Sequence, residues 1–192
     1  MRLGILGGSF DPPHLGHLVL ADRCLDALRL DRVLFVPAYR PPHKIDHPLS
    51  PYDVRAAMVA AAIADVPEFT LCDLERRRAG ISYTIDTLRE LHAAHPGAEL
   101  WLLLGEDSVE ELEQWREPDQ LTRLARIAAY RRPGCRGRVP ERLRDAVRFV
   151  AGPRIDVSST QLRALVAGGE SVRFLVPQAV AEMMQRQRLY RA

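Results

Sequence analysis

A chain of 192 residues with 47% hydrophobic and 27% charged residues has the composition of an ordinary globular protein, not of a disordered or fibrous one. Its length predicts one compact domain that spans residues 1–192. The net charge of +2 does not favour nucleic acid as a partner, because binding a phosphate backbone takes many basic groups on one face. Any phosphate bound by this chain is therefore predicted to belong to a small ligand.

The cysteines and the hydropathy pattern indicate a protein of the reducing cytoplasm. Cys24, Cys72 and Cys135 leave one thiol unpaired under any disulfide scheme, and none stands at a CxxC or other metal-ligand spacing. The first residues form a short apolar run without the basic start and long apolar core of a signal peptide. The longest apolar-rich segment, Met58 to Ala64, is too short to cross a bilayer. We therefore predict a cytoplasmic protein with no membrane partner.

Short apolar runs alternate with helical patterns along the chain. Strands are predicted at residues 3–6, 32–37, 69–74, 99–104, 126–130 and 154–157. Helices are predicted at residues 14–28, 52–64, 84–94, 108–114 and 159–167, with a terminal helix that begins at Pro177. This alternation predicts an α/β fold of the Rossmann-like, doubly wound class. Its sheet is expected to be mostly parallel, with helices on both faces and a small helical region at the C-terminal end.

The turn after the first strand has the composition of a phosphate-binding site. Gly7 and Gly8 let the backbone approach an anion closely, and the start of the next helix offers free amides and a positive dipole end. His14 and His17 are three residues apart at that helix start, so both can face the turn, and Gly16 keeps the space between them open. Alternatively, the glycines only make a tight turn and the histidines lie on the helix surface. A metal site is less favoured, because no third ligand stands at a customary zinc spacing.

The complete string from Gly8 to His17, GSFDPPHLGH, resembles the (H/T)xGH signature of the nucleotidyltransferase superfamily. It is also similar to the same segment of bacterial nicotinate-nucleotide adenylyltransferases, and further similar blocks follow along the chain. The resemblance implies transfer of the adenylyl group of ATP to nicotinate mononucleotide, giving nicotinate adenine dinucleotide and pyrophosphate in NAD biosynthesis. It implies direct in-line attack without a covalent intermediate and Mg²⁺ bound with ATP as the co-substrate. We expect a monomer or a homodimer.

The resemblance extends to the residues that would hold ATP. His14, His17 and Arg163 would be the catalytic residues that contact the phosphates. The late block from Asp156 to Arg163 resembles an ISSTxIR signature, although alone it would be interpreted as a capped surface helix. No protein metal site is expected, because Mg²⁺ on a triphosphate keeps most of its water. The other ATP-binding residues would be Gly7, Gly8, Ser9, Phe10, Gly105, Asp107, Ser158 and Ser159.

A second set of residues would hold the pyridine ring of the acceptor. Ser82, Tyr83 and Thr84 open a segment similar to SYTxDTL, in which a helix start would meet the pyridine carboxylate; a simple helix cap is the alternative. Trp115 would stack on the ring, which is worth roughly 1 to 3 kcal/mol by analogy with base stacking. Alone, this tryptophan would be interpreted as a partly buried packing residue.

Two basic residues would draw in the acceptor phosphate. Lys44 is the only lysine among 27 basic residues and follows a proline-rich segment similar to the family's substrate loop. Arg132 opens an RPG element and could hold a phosphate by paired hydrogen bonds. A plain surface loop is the alternative for the segment around Lys44.

The sequence departs from the family pattern at two places. Arg116, Glu117 and Pro118 follow the tryptophan, where the family often carries a second aromatic residue. The family pattern therefore does not say how this chain would distinguish the acid form of the pyridine from the amide form. Pro13 stands where a branched aliphatic residue is expected, which predicts a stiffer turn without an effect on the chemistry.

Two other functions are compatible with parts of this sequence. An adenylyltransferase that acts on phosphopantetheine typically has threonine in place of His14, and it would leave Tyr83 and Trp115 without a purpose. A module that senses ATP without reacting would not need the paired imidazoles of His14 and His17. Both alternatives predict no transfer of an adenylyl group to a pyridine nucleotide.

Overall fold

The computed structural model describes residues 1–42, 49–131 and 139–191. Its strands are β1 (Arg2–Gly8), β2 (Arg32–Pro37), β3 (Phe69–Leu71), β4 (Glu99–Gly105), β5 (Arg126–Arg131) and β6 (Val147–Ala151). They form one sheet in the order β3-β2-β1-β4-β5-β6, in which the described pairings are all parallel. This confirms the predicted α/β class, since the strand order is that of the doubly wound Rossmann fold.

Helices follow most of the strands. They are α1 (Leu15–Leu28), α2 (Tyr52–Ala62), α3 (Leu74–Arg78), α4 (Thr84–Ala94), α5 (Glu106–Glu110), α6 (Pro118–Leu124), α7 (Ser159–Ala167) and α8 (Gln178–Arg186). Among the described residues, Leu112–Gln114 and Glu141–Ala146 form 3₁₀ turns. Within the described residues, no helix is both long enough and apolar enough to span a membrane.

Helices cover both faces of the sheet because the central strands are apolar on both sides. In β1, Leu3 and Ile5 belong to one core cluster and Leu6 belongs to the other. Helix α4 packs into the first cluster through Leu88, whereas α1 packs into the second through Cys24. Each fully buried leucine or isoleucine contributes roughly 1.5 to 3 kcal/mol to folding. The two clusters thus fix the sheet between two layers of helices.

The predicted C-terminal helical region packs beside the first turn, which is the segment from Gly7 to Pro13 at the end of β1 and before α1. Met58 of α2, Leu162 of α7 and Met184 of α8 share a third core cluster. The backbone N–H of Leu15, the first residue of α1, donates to the carbonyl of Leu175 over 3.0 Å. Residues from the end of the chain therefore lie against the start of α1.

The prediction of the last strand was wrong. The strand lies at Val147–Ala151 and pairs with β5, whereas residues 154–157 lie beyond the sheet and lead to α7. Pro153 has no backbone N–H to donate to a neighbouring strand. Its carbonyl accepts from the hydroxyl of Tyr130 over 2.6 Å and so is bonded to a side chain. The pairing therefore ends before the segment that the sequence favoured.

Three short helical segments also differ from the sequence prediction. Strand β3 ends at Leu71, and Leu74, predicted as the last residue of that strand, is the first residue of α3. The acidic helix predicted at 108–114 is divided into α5 and a 3₁₀ turn, and α6 was not predicted. Helices of five to seven residues show too little apolar periodicity to be recognised, and they depend on tertiary packing.

Candidate active site

A cavity of about 570 Å³ opens at the carboxyl ends of β1, β2 and β4. Strands β1 and β4 are neighbours at the centre of the sheet, and the chain continues from β1 towards β2 but from β4 towards β5 on the other side. Ligands of doubly wound proteins bind in the crevice that such a reversal opens. The predicted site residues in the cavity wall are Gly7, Gly8, Ser9, Ser82, Tyr83, Thr84 and Trp115.

The two histidines lie together at the start of α1. Their ring centroids are 3.8 Å apart, and His14 is buried at 6% exposure. The backbone N–H of His14 donates to Nδ1 of His17 over 3.2 Å. Because Nδ1 accepts this bond, a neutral His17 ring carries its proton on Nε2 and can donate it to a ligand.

Phe10 supports this pair from the core. Its ring is 1% exposed and lies edge-on to His17, with centroids 4.9 Å apart. Phe10 has a left-handed backbone with φ 49°, which costs a non-glycine residue about 1 to 2 kcal/mol. The buried side chain does not face the cavity, so the predicted contact of Phe10 with ATP would have to come from its backbone.

The start of α7 is hydrogen-bonded to the first turn. Ser159 Oγ donates to the carbonyl of Pro12 over 2.9 Å, although the two residues are 147 positions apart. Arg163 Nη1 donates to the carbonyl of Asp11 over 2.8 Å. The structure therefore brings the segment from Asp156 to Arg163 into contact with the first turn.

Ser158 caps α7 in the way that the alternative interpretation of this segment expected. Its Oγ accepts from the N–H of Gln161 over 3.2 Å, and its own N–H donates to Oε1 of Gln161 over 2.9 Å. The same capped helix is also hydrogen-bonded to the first turn through Ser159 and Arg163. The two interpretations of the segment are therefore compatible.

Ser82 lies in the cavity wall, but its hydroxyl already has protein partners. Ser82 Oγ accepts from the backbone N–H of Tyr39 over 2.9 Å and from that of Arg40 over 3.1 Å. The N–H of Ser82 donates in turn to the carbonyl of Arg40 over 2.9 Å. This serine holds the segment after β2 against the start of α4.

Glu75 is a cavity residue that the sequence analysis missed. It is 7% exposed; its Oε2 accepts from the N–H of Tyr39 over 3.2 Å and its Oε1 from the hydroxyl of Thr87 over 2.7 Å. In the sequence, Glu75 precedes three arginines, a pattern typical of a solvent-exposed helix. No local signal distinguished this carboxylate from a surface one.

Arg55 is a second missed residue, and it joins three parts of the site. Its side chain is fully buried, with the whole residue 2% exposed. Its Nη1 donates to the carbonyl of Ser9 over 2.7 Å, Nη2 to that of Ala38 over 2.9 Å and Nε to that of Ser50 over 2.9 Å. Arg55 thus fixes the first turn relative to both ends of the loop that follows β2.

The sequence did contain a signal for Arg55. The residue stands in an alanine-rich helix in step with Met58 and Val59, at the i+3 and i+4 positions of a buried face. A charge at such a position is buried only when it is well paired. Burial lowers the pKa of Arg55, and the nearby Asp11 carboxylate acts in the opposite direction.

The segment after β4 reaches the same edge of the sheet. Gly105 ends β4, and a Cβ atom added there would meet no other atom within 4 Å. Asp107 follows in the first turn of α5 and is exposed, while its neighbour Ser108 lines the cavity. Both predicted residues therefore border open space beside the cavity.

Two predicted residues, Lys44 and Arg132, lie outside the described residues, so their roles stay predictions. Within residues 1–42, 49–131 and 139–191, no three His, Cys, Asp or Glu side chains come together in a group that could hold a metal ion. The expectation for Mg²⁺ concerns an ion carried by the phosphates of ATP.

Comparison with known proteins decides the family. Residues 5–165 match the family described as cytidylyltransferase-like. A protein named "Probable nicotinate-nucleotide adenylyltransferase" from Herpetosiphon aurantiacus is 42% identical over 198 residues, which cover 100% of this chain and 99% of the relative. A protein of the same name from Salinibacter ruber is 38% identical over 192 residues, covering 100% and 98%. The chain belongs to the nicotinate-nucleotide adenylyltransferase family.

Solved structures of nicotinic acid mononucleotide adenylyltransferase share the fold. The Plasmodium falciparum enzyme complexed with NaAD superposes with a TM-score of 0.82 at 19% identity, covering 98% of this chain and 97% of that one. The same enzyme complexed with APC gives a TM-score of 0.81 at 18% identity. These superpositions confirm the fold of the chain.

Gly16 offers a test of how closely an adenylyltransferase of this family depends on the histidine geometry. A Cβ atom at Gly16 would lie 3.0 Å from both Cε1 and Nδ1 of His14, whose ring also packs against His17. We expect Gly16→Ala to lower kcat by about 10- to 100-fold, because small misplacements of reacting groups have effects of this size. Helix propensity favours alanine, so the melting temperature should not fall. A variant with wild-type kcat and Tm would show that the position of His14 is not critical.

Proposed function

We propose that this chain joins the adenylyl group of ATP to nicotinate mononucleotide, forming nicotinate adenine dinucleotide and pyrophosphate in NAD biosynthesis. The name shared by relatives at 38% and 42% identity over their full length supports this reaction. One observation supports it most: the turn whose glycines line the cavity also holds the histidine pair and is hydrogen-bonded to α7. Trp115 lines the same cavity, so a triphosphate held by the turn and an aromatic ring stacked on Trp115 could lie side by side.

In the proposed reaction, an oxygen of the acceptor 5′-phosphate attacks the α-phosphorus of ATP in line with the leaving group. A new P–O bond forms, the bond from the α-phosphorus to the bridging oxygen breaks, and pyrophosphate leaves with that oxygen. Phosphate is a competent nucleophile at neutral pH, so the step needs no general base and no enzyme-bound intermediate. The protein contributes alignment and charge neutralisation, as in other phosphoryl-type transfers.

The proposed role of the histidines is to stabilise the negative charge that develops on the phosphates during this step. His14 and His17 contact the α- and β-phosphates, and His17 donates through Nε2 because its Nδ1 accepts from the backbone of His14. The amides of Gly7, Gly8 and Ser9 and the positive end of α1 stabilise the same phosphates. Donors fixed before the reaction stabilise such charge without reorganising during it.

The start of α7 is assigned to the β- and γ-phosphates. Ser158 and Ser159 open the helix, and Arg163 has further N–H groups beyond those that donate to Asp11 and Thr160. Gly105 and Asp107 are assigned to the ribose of ATP. Mg²⁺ would enter together with ATP and would offset part of the negative charge of its phosphates.

The pyridine nucleotide is assigned to the other wall of the cavity. Trp115 offers a flat face for the ring, and the α4 start at Tyr83 and Thr84 faces its carboxylate. Ser82 contributes by holding the backbone of Tyr39 and Arg40 in place, in addition to any direct contact with the nucleotide. Lys44 and Arg132 remain the predicted ligands of the acceptor phosphate.

We further propose that the chain works as one nucleotidyltransferase domain, as a monomer or homodimer in the cytoplasm, without a nucleic-acid partner. The packing of α7 and α8 on α2 supports a single domain. Cys24 and Cys72 are free thiols, which fits a reducing compartment. The small net charge of +2 supports the exclusion of nucleic acid.

A pyrophosphate-release assay tests the proposed function. The purified chain is supplied with ATP and Mg²⁺ together with nicotinate mononucleotide, nicotinamide mononucleotide or phosphopantetheine. We expect rapid release with the nicotinate acceptor, slower release with the amide and none with phosphopantetheine. Release only with phosphopantetheine would identify the rival enzyme, and ATP binding without release for any acceptor would identify a sensing module. Either result would contradict the proposal.

A further inference from the structure

Arg116 lies in the cavity wall beside Trp115. Its Cζ atom is 4.6 Å from the centre of the Tyr83 ring, within range of a cation–π interaction. Tyr83 directly precedes α4, so the guanidinium lies next to the positive end of an 11-residue helix. Two sources of positive potential therefore meet at one side of the cavity.

The carboxylates of Asp86 and Glu117 lie near Arg116, but their main partner is Arg89. Arg89 donates to Glu117 over 2.5 and 3.2 Å and to Asp86 over 3.4 Å. Arg116 approaches Asp86 only to 3.9 Å and Glu117 only to 3.8 Å, beyond hydrogen-bond distance. Its side chain is 53% exposed, and exposed ion pairs of this kind contribute little. The N–H groups of Arg116 can therefore turn to a ligand in the cavity without breaking a strong bond.

We propose that Arg116 selects the acid form of the pyridine nucleotide by binding its carboxylate while the ring stacks on Trp115. Nicotinate presents two equivalent anionic oxygens, which match the planar fork of a guanidinium. Nicotinamide is neutral and presents an N–H₂ group in place of one oxygen. Its N–H₂ donor would then face the N–H donors of Arg116, and no hydrogen bond could form between them. This inference rests on the proposed function and names the residue that sets its substrate preference.

The test compares kcat/KM for nicotinate and nicotinamide mononucleotides in the full chain and three variants. Arg116→Gln removes the charge and keeps most of the stem, while Arg116→Lys keeps the charge without the fork. Arg89→Gln is the matched control, since Arg89 binds the same two carboxylates but does not belong to the cavity wall. Dissociation constants for both nucleotides are measured by calorimetry.

We expect Arg116→Gln to lower kcat/KM for the acid by about 10- to 30-fold, mostly through KM, since the carboxylate is remote from the reacting phosphorus. Activity with the amide should stay within about twofold, and the lysine variant should recover part of the preference. Arg89→Gln should leave the acid-to-amide ratio unchanged.

Several results would overturn the inference. An unchanged acid-to-amide ratio in Arg116→Gln would do so, and so would an equal loss with both nucleotides, which would mean that Arg116 only supports the wall. An equal change of the ratio in Arg89→Gln would assign the preference to the whole charge network. If the wild-type chain formed no dinucleotide from either pyridine, the proposed function would be rejected, and this inference with it.

Discussion

Replacing His17 with asparagine is expected to lower kcat by about two to four decades, on the order of 3 to 5 kcal/mol in the activation free energy. The asparagine carboxamide oxygen can replace Nδ1 as the acceptor for the backbone N–H of His14, so the helix start is preserved. Nothing in the variant replaces the donor at Nε2. The loss would therefore measure that donor and not a local rearrangement, and His17→Ala should lose at least as much.

The measurement is kcat at saturating ATP and nicotinate mononucleotide, with thermal unfolding of the same samples. His92→Asn is the matched control, because His92 is an exposed histidine near the end of α4. We expect this control to keep wild-type kcat. Near-normal turnover in His17→Asn, with an intact fold, would remove His17 from the mechanism.

The largest expected loss of stability follows Arg55→Met. Methionine fills much of the same volume, but it leaves the partly buried carbonyls of Ser9, Ala38 and Ser50 without the Arg55 donors. Hydrogen bonds to charged groups contribute about 1.5 to 3 kcal/mol each, and water can replace some of them. We expect the free energy of unfolding to fall by about 3 to 5 kcal/mol. Urea unfolding at constant pH measures this change.

Arg123→Met provides the control for this experiment. Arg123 is exposed on α6, so the same substitution there should change the free energy of unfolding by no more than about 0.5 kcal/mol. A loss below about 1 kcal/mol in Arg55→Met would contradict the role of Arg55 as the residue that joins the first turn to the loop after β2. The Arg55 variant should also show weaker ATP binding, since Ser9 belongs to the turn.

The first turn could be predicted from the sequence because its physics is local. Glycines at a strand end, followed by two histidines at a helix start, place an open stretch of backbone beside two imidazoles within about ten residues. The strands at residues 32–37 and 99–104 were equally clear, since buried parallel strands are continuous apolar runs. Their parallel order follows from the helical crossovers between them.

The residues that escaped prediction depend on contacts between distant parts of the chain. Glu75 looks like a surface carboxylate until Tyr39 and Thr87 are brought to it by the sheet. The bond from Ser159 to Pro12 joins residues 147 positions apart, so no window of sequence contains it. Strand β6 is half exposed at the edge of the sheet, and its pairing with β5 decides its position more than its own composition.

A crystal structure with Mg²⁺ and an ATP analogue that carries a methylene bridge between the α- and β-phosphorus atoms would test the central claim most directly. We predict phosphate oxygens within about 3.2 Å of Nε2 of His17 and of the Arg163 guanidinium at the same time. The triphosphate would then lie between the first turn and the start of α7. A triphosphate bound elsewhere, with both imidazoles beyond hydrogen-bond distance of every phosphate oxygen, would contradict the proposed catalytic site.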